Sequence, residues 1–253
     1  GMTNSKWDYD LVVIGGGSGG YAAARSAVSH KLSVAVIEGG TEVGGLCILR
    51  GCMPTKALLY AAEVSHLAKE SAVWGLQIPQ VGHDFAEVMN RKNRIIGEFA
   101  DYRKEQLEDG RFDFIRDHAR FIDPHTVLLK SGSKVTAKSF IISTGSKVSP
   151  PPLADLDNVG YITSDEALAL KTAPKSLIVL GGGAVAVELA QFFQRMGTQV
   201  TLIQRSETIL KEFEADAAKE VERALIAEGM QLFTQTKLLA AKAKDGFKEI
   251  EFE

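Results

Sequence analysis

The chain has 253 residues, 45% of them hydrophobic and 24% charged, with a formal net charge of −3. That length holds one large or two ordinary domains, and the composition is that of a globular protein. The charge balance gives no electrostatic case for nucleic acid or an anionic membrane surface, and no apolar run approaches the roughly 18–20 residues that span a bilayer.

The N-terminal run Gly1-Met2-Thr3-Asn4-Ser5-Lys6-Trp7-Asp8 lacks the basic and apolar regions of a signal peptide, and Gly1 before Met2 reads as a remnant of tag removal. With two cysteines the chain is no secreted disulfide scaffold. A cytoplasmic location is expected, where a disulfide is more often catalytic than structural. No metal-ligand set is read.

The first element pair is Leu11-Val12-Val13-Ile14-Gly15-Gly16-Gly17-Ser18-Gly19-Gly20, followed by a helical stretch to His30 and a second strand over Leu32–Glu38. A short buried strand, a glycine turn, a helix and another buried strand form the opening βαβ unit of a doubly wound fold. Gly15 allows the tight turn, Gly17 lets the backbone approach a pyrophosphate, and Gly20 lets helix and strand pack closely. The helix N-terminus offers the phosphates unpaired N–H groups. Glu38, ending the second strand, stands where a carboxylate accepts hydrogen bonds from a ribose diol.

Behind this unit comes Gly44-Gly45-Leu46-Cys47-Ile48-Leu49-Arg50-Gly51-Cys52-Met53-Pro54-Thr55-Lys56, which holds both cysteines. Met53 to about Lys69 reads as a helix with Pro54 in its first turn. Cys52 falls at its start, where the dipole and free N–H groups stabilise a thiolate and nearby Lys56 adds charge. Cys47 is placed in the loop before the helix, as the more accessible sulfur. The spacing permits a small disulfide ring that opens and closes by thiol exchange. Two ordinary buried thiols are the alternative; the spacing, the helix start and the adjacent fingerprint favour the working dithiol.

Phe85–Leu107 reads as a long helix whose charged face (Arg91, Lys92, Arg94, Glu98) is solvated. From Phe112 to Lys138, short runs (Phe114-Ile115, Ala119–Ile122, Thr126–Leu129, Lys134–Thr136) suggest an antiparallel meander with turns at Asp123-Pro124 and Ser131-Gly132. Phe140-Ile141-Ile142-Ser143-Thr144-Gly145 reads as a buried strand ending in a glycine turn. Ser149-Pro150-Pro151-Pro152 is a stiff linker. It divides residues 8–150 from residues 151–253.

The opening pattern then repeats. Leu177–Leu180, Gly181-Gly182-Gly183-Ala184-Val185-Ala186, a helix to Met196 and a strand over Gln199–Gln204 form a second βαβ unit. Here the ribose register holds Gln204, followed by Arg205, with Lys211 beyond. Losing the carboxylate and gaining a cation favours a ribose carrying a 2′-phosphate. The first unit is therefore read as an FAD site and the second as an NADPH site, with NADH the alternative.

Together these motifs resemble the pyridine nucleotide–disulfide oxidoreductases of the glutathione reductase, lipoamide dehydrogenase, trypanothione reductase and mercuric reductase type. The resemblance runs from about Tyr9 to the end of the chain. It rests on both fingerprints, the Gly44–Lys56 redox segment, Thr144-Gly145-Ser146 and Thr163-Ser164-Asp165. It implies an α/β chain of two Rossmann-like dinucleotide-binding domains, an FAD domain with a meander insertion and then an incomplete NAD(P) domain. It assigns FAD contacts to Gly15, Gly17, Ser18, Gly20, Glu38, Gly45, Leu46, Lys56, Ala119, Thr144 and Gly145. It assigns nicotinamide nucleotide contacts to Gly181, Gly183, Ala186, Glu188 and Arg205. The implied relay runs from NADPH through FAD to the Cys47–Cys52 disulfide and on to a small-molecule or protein disulfide, or a related acceptor. In that pattern Cys52 lies beside the flavin, Cys47 attacks the substrate, and Lys56 pairs with Glu188.

The chain departs from the family at Leu46 (usually Thr), at Leu49 (usually Asn), at Arg50, and at Ala184, where glutathione reductase has a gating tyrosine. These changes argue against glutathione or trypanothione reductase proper, and Arg50 suggests an anionic substrate. Family members continue into a dimerisation domain that supplies a His–Glu pair to the partner's disulfide. The chain stops before it, so a truncated piece of a homodimeric enzyme is expected. The five histidines, His30, His66, His83, His118 and His125, are read as surface or loop residues. Two other readings stay open: a dinucleotide-binding fragment without turnover, and a diaphorase- or transhydrogenase-like flavoprotein, against which the intact cysteine pair speaks.

Overall fold

The structure, a computed structural model, describes residues 6–253, so most of the run read for a signal peptide, Gly1 included, lies outside the described residues. In chain order the elements are β1 (Tyr9–Ile14), α1 (Ser18–Ser29), β2 (Val34–Ile37), α2 (Gly45–Arg50), α3 (Cys52–Lys69), a 3-10 turn (Ser71–Trp74) and α4 (Phe85–Glu108). Then come β3 (Asp113–Ile115), β4 (Ala119–Asp123), β5 (Thr126–Leu129), β6 (Lys134–Ile142), α5 (Asp155–Val159) and α6 (Ser164–Ala167). The chain closes with β7 (Ser176–Leu180), α7 (Ala184–Arg195), β8 (Gln199–Ile203), α8 (Ala215–Ala227), β9 (Gln231–Phe233), β10 (Leu238–Lys244) and β11 (Phe247–Phe252). Two compact units result: the chain up to Pro54 with Arg94–Lys147, and Thr55–Asn93 with Val148–Glu253. Thr55–Asn93 thus clusters with the C-terminal segment, and the division falls inside α3 and α4.

The first unit is a six-stranded sheet in the order β3-β2-β1-β6-β5-β4. β1 runs parallel to β2 and β6, and β2 runs parallel to β3, while β4, β5 and the start of β6 are antiparallel. Alternation along β1 sends Leu11 and Val13 into one core with Tyr21, Val36, Leu107 and Phe112. Val12 goes into the other, with Ala35, Ile37, Val127, Val135 and Ala137. A strand covered on both faces needs an unbroken apolar run, which Leu11-Val12-Val13 supplies.

The second unit holds the parallel sheet β7-β8-β9 and the antiparallel hairpin β10-β11. Its core gathers Phe192, Phe193, Leu202, Ile209 and Leu225 with Leu58, Ala62 and Met89. Phe192 and Phe193 are both fully buried, with ring centroids 5.0 Å apart in an edge contact. Each such side chain contributes about 1.5–3 kcal/mol by leaving water.

Several expectations are corrected. Phe114-Ile115 belongs to the third parallel strand rather than the meander, because β3 pairs with β2. Lys134–Thr136 and Phe140–Ile142 are ends of one nine-residue strand, β6, which serves the meander at its start and the parallel sheet further on. Its end is not buried, since Ile141 is 39% and Ile142 68% exposed. β7 is likewise only partly covered, as the edge strand of its sheet. The α4 charged face is not wholly solvated: Lys92 is buried and donates to the Leu168 carbonyl at 2.5 Å and to Asn93 Oδ1 at 2.7 Å. Burial pushes its ammonium below the ordinary lysine range. His66 sits half-buried on α3, its Nδ1 3.7 Å from Glu228, and His125 stacks on Trp7 at 4.3 Å.

Candidate functional site

In the first unit the glycine turn is crowded by backbone. Gly15 has φ of +106°, and a Cβ there would lie 2.0 Å from the Ser143 carbonyl oxygen at the end of β6. A Cβ on Gly20 would lie 1.8 Å from the Gly15 carbonyl oxygen, so helix and strand meet with no room for a side chain. Gly17 caps α1 in an extended conformation, and Ser18 opens the helix, exposed at its N-terminus. Glu38 directly follows β2, its carboxylate accepting from Gly16 N at 3.4 Å and Gly40 N at 3.2 Å. Ala119 opens β4, while Thr144 and Gly145 lie exposed beyond β6, Gly145 at φ of +77°.

The redox segment is not a loop before one helix. It forms the short helix α2, entered through two left-handed glycines, Gly44 (φ +140°) and Gly45 (φ +79°), and left at Gly51. Val43 and Ile48 are buried and anchor it. Cys47 lies on α2 and Cys52 is the first residue of α3. The expected accessibility is reversed: Cys52 is exposed and Cys47 only half-exposed, because α2 turns Cys47 back over the start of α3. Both are free thiols, hydrogen-bonded to each other. That bond, with burial, pushes the Cys47 thiol up, while the Cys52 and Met53 backbone N–H groups at the α3 N-terminus pull the other way. The amides expected to serve Cys52 therefore serve Cys47.

In the second unit Gly181 has φ of +114° and nothing within 4 Å of a Cβ, and Gly183 caps α7 with equally open space. Ala186 stands half-buried on α7 at the third glycine's position. The segment after β8 folds back over this turn. Leu210, at φ of +52°, donates its N–H to the Gly182 carbonyl at 2.7 Å, and Ile209 N donates to Glu222 at 3.0 Å. A cleft of about 310 Å³ remains, lined by Gly182–Ala184, Gln204–Ser206 and Leu210–Phe213. Gln204 is buried and turned to the Thr208 carbonyl at 3.4 Å, whereas Arg205 is exposed, with Lys211 also on the lining. Within the same unit Lys56 on α3 is ion-paired with Glu188 on α7.

A model of the pyridine nucleotide-disulphide oxidoreductase family matches residues 9–252. The chain belongs to this family. Among its curated relatives, the mercuric reductase of Lysinibacillus sphaericus is 38% identical over 89% of this chain and 41% of its own length. The dihydrolipoyl dehydrogenase of Bacillus subtilis is 33% identical over 92% of this chain and 51% of its own. The solved structure of the HOCl-induced flavoprotein disulfide reductase RclA from Escherichia coli superposes with a TM-score of 0.82 at 25% identity, covering 96% of this chain and 53% of that one. The chain spans about half the length of the relatives it matches or less.

The family is FAD-dependent and uses a nicotinamide nucleotide. The first unit fits a flavin dinucleotide on its own geometry: a side-chain-free turn at a helix N-terminus, and a carboxylate at the end of the adjacent strand. Residues that sequence reasoning passed over are Glu42, which holds Arg50 at 3.0 Å, and Arg116, which donates to the Gly40 and Thr41 carbonyls at 2.7 and 3.2 Å. The pinned Ile209–Leu210 segment and its anchor Glu222 were also missed. No short motif marks such contacts: Arg116 reaches residues 75 and 76 positions away, and the other two pairs, 8 and 13 residues apart, follow no recurring spacing. Among the described residues no group of three or more His, Cys, Asp or Glu is placed to hold a metal ion, and no helix is long and apolar enough to cross a membrane.

Proposed function

We propose that this chain carries the flavin site, the redox dithiol and the nicotinamide nucleotide site of an NADPH-dependent disulfide oxidoreductase, acting in the cytoplasm as part of a longer homodimeric enzyme. The reading rests above all on Cys47 and Cys52, hydrogen-bonded across the α2–α3 junction on a helix seated against the glycine turn. FAD held by Gly15–Gly20, Glu38 and Gly45 would carry the electron pair between nicotinamide and dithiol. NADPH is favoured by Arg205 and Lys211 on the second cleft, and Glu188 with Lys56 would orient the nicotinamide side.

The dithiol's own chemistry is exchange. One thiolate attacks a sulfur of the acceptor disulfide, forming a mixed disulfide and expelling a thiolate. The other cysteine then attacks the protein sulfur, closing Cys47–Cys52 and releasing the second thiol, so two protein thiols become one disulfide as one acceptor disulfide becomes two thiols. The Cys52 and Met53 amides hold charge on Cys47 during this exchange. The mercuric reductases among the relatives make a thiol-bound metal ion the second candidate acceptor.

The test is an anaerobic reductive titration of the chain after loading with FAD. Uptake of two electron pairs per chain is expected. Uptake of one pair would mean a flavin with no coupled dithiol, and the proposal would give way to a diaphorase or a nucleotide-binding fragment.

A further inference from the structure

Resting on that reading, the redox helix also carries a recognition element. Cys47 and Arg50 lie three residues apart on α2, on neighbouring positions of one helical face, about 5–6 Å apart at Cβ. Arg50 closes the helix, and its Nη2 donates to Glu42 Oε1 at 3.0 Å, with the two side chains 52% and 58% exposed. Neither end of the pair is loose. Glu42 follows Gly40 and Thr41, whose carbonyls are held by Arg116, and it precedes the buried Val43. On the helix, Ile48 is buried two residues before Arg50. A guanidinium carries five N–H donors, and among the described residues only one contact occupies it. Leu46, beside Cys47 in sequence, is 50% exposed and adds an apolar surface.

We infer that Arg50 selects acceptors bearing a carboxylate or similar anion a few ångströms from the reacting sulfur, and that Glu42 is the internal anion such a group competes with. Glu42 keeps the guanidinium placed while no acceptor is bound. An incoming anion shares the guanidinium or displaces Glu42. The favoured substrate class is an anionic disulfide on an apolar skeleton. The exchange is the one given above: a thiolate breaks the acceptor S–S bond, the first acceptor thiolate leaves, and closure of Cys47–Cys52 releases the second.

The experiment uses the whole chain with its cysteines reduced and no nucleotide added. It is mixed with dithiobis(nitrobenzoic acid), whose rings each carry a carboxylate, or with neutral dithiodipyridine. The rate constants and the leaving groups released per chain are recorded. Two leaving groups per chain with no probe group left on the protein, read by intact mass, is expected from both probes; a probe group retained on either cysteine would show that the cysteines do not close, overturning the dithiol reading itself. The inference about Arg50 is read from the ratio of the two rates. Arg50→Leu should lower the anionic-to-neutral ratio about three- to tenfold, Arg50→Lys should restore most of it, and Glu42→Gln should raise it about two- to threefold, all these effects shrinking at high salt. An Arg50→Leu chain that closes its disulfide with the wild-type ratio would overturn the selection role and leave the dithiol chemistry standing.

Discussion

Gly45 lies against Gly17 so closely that a Cβ added to Gly45 would fall 2.5 Å from the Gly17 Cα. The first residue of the redox helix is thus packed on the dinucleotide turn. Nothing larger than hydrogen fits at that contact, and the left-handed φ of +79° at Gly45 independently favours glycine.

Gly45→Ala should therefore cost about 2 kcal/mol or more, the sum of backbone strain and a collision with main chain that cannot swing aside. Gly132→Ala is the control, since Gly132 is also left-handed (φ +101°) but has nothing within 4 Å of its Cβ. It should cost about 1 kcal/mol. Urea denaturation reads both, and FAD retention should fall only in the Gly45 variant.

Removing the second thiol should make Cys47 more acidic. The hydrogen bond to Cys52 is the largest cause holding the Cys47 thiol up, and the amides of residues 52 and 53 remain after truncation. In Cys52→Ala the pH profile of Cys47 alkylation should move to lower pH. Because the folded thiol is raised above its unfolded value, its stabilising contribution in the reduced wild type is full below the ordinary thiol range and lost as pH rises through the folded value. An unmoved alkylation profile would contradict this account.

Arg195 joins three helices. Its Nε and Nη2 meet Glu228 at 2.7 and 3.2 Å, its Nη1 meets Glu63 at 2.8 Å, and its side chain is only 11% exposed. Arg195→Met strips Glu228 of its partner and should destabilise the protein by about 3 kcal/mol. Burial alone would raise the Glu228 carboxyl, but the Arg195 hydrogen bonds and charge, with His66 and Gln191, together hold it below the ordinary range. That stability is present above the unfolded carboxyl value and lost as pH falls through the lowered one. The difference between wild type and variant, measured by denaturation, should shrink on acidification.

Nucleotide choice should follow Arg205. Arg205→Ala is expected to weaken NADPH binding about tenfold, the loss of one charge-assisted contact at an exposed site, while NADH changes by less than about threefold. Titration calorimetry with each nucleotide decides. Equal losses for both would mean that Arg205 does not read the 2′-phosphate.

Short-range patterns determined much of this protein. The paired βαβ units, their glycine turns and a cysteine at the start of α3 were all legible, because a tight turn, a buried parallel strand and a helix start each demand particular residues within a few positions. Tertiary structure decided what depends on distant partners. Phe114 joined the parallel sheet because β2 offered an open edge, and Lys92 was drawn inward because the Leu168 carbonyl, 76 residues away, accepts its hydrogen bond. The pairing of Lys56 with Glu188, 132 residues apart, was implied by the family resemblance and not by any local pattern, since the two meet only once α3 and α7 pack. The same is true of the dithiol: spacing placed both sulfurs near a helix start, but only the fold of α2, docked through Gly45 on Gly17, gave the α3 amides to Cys47.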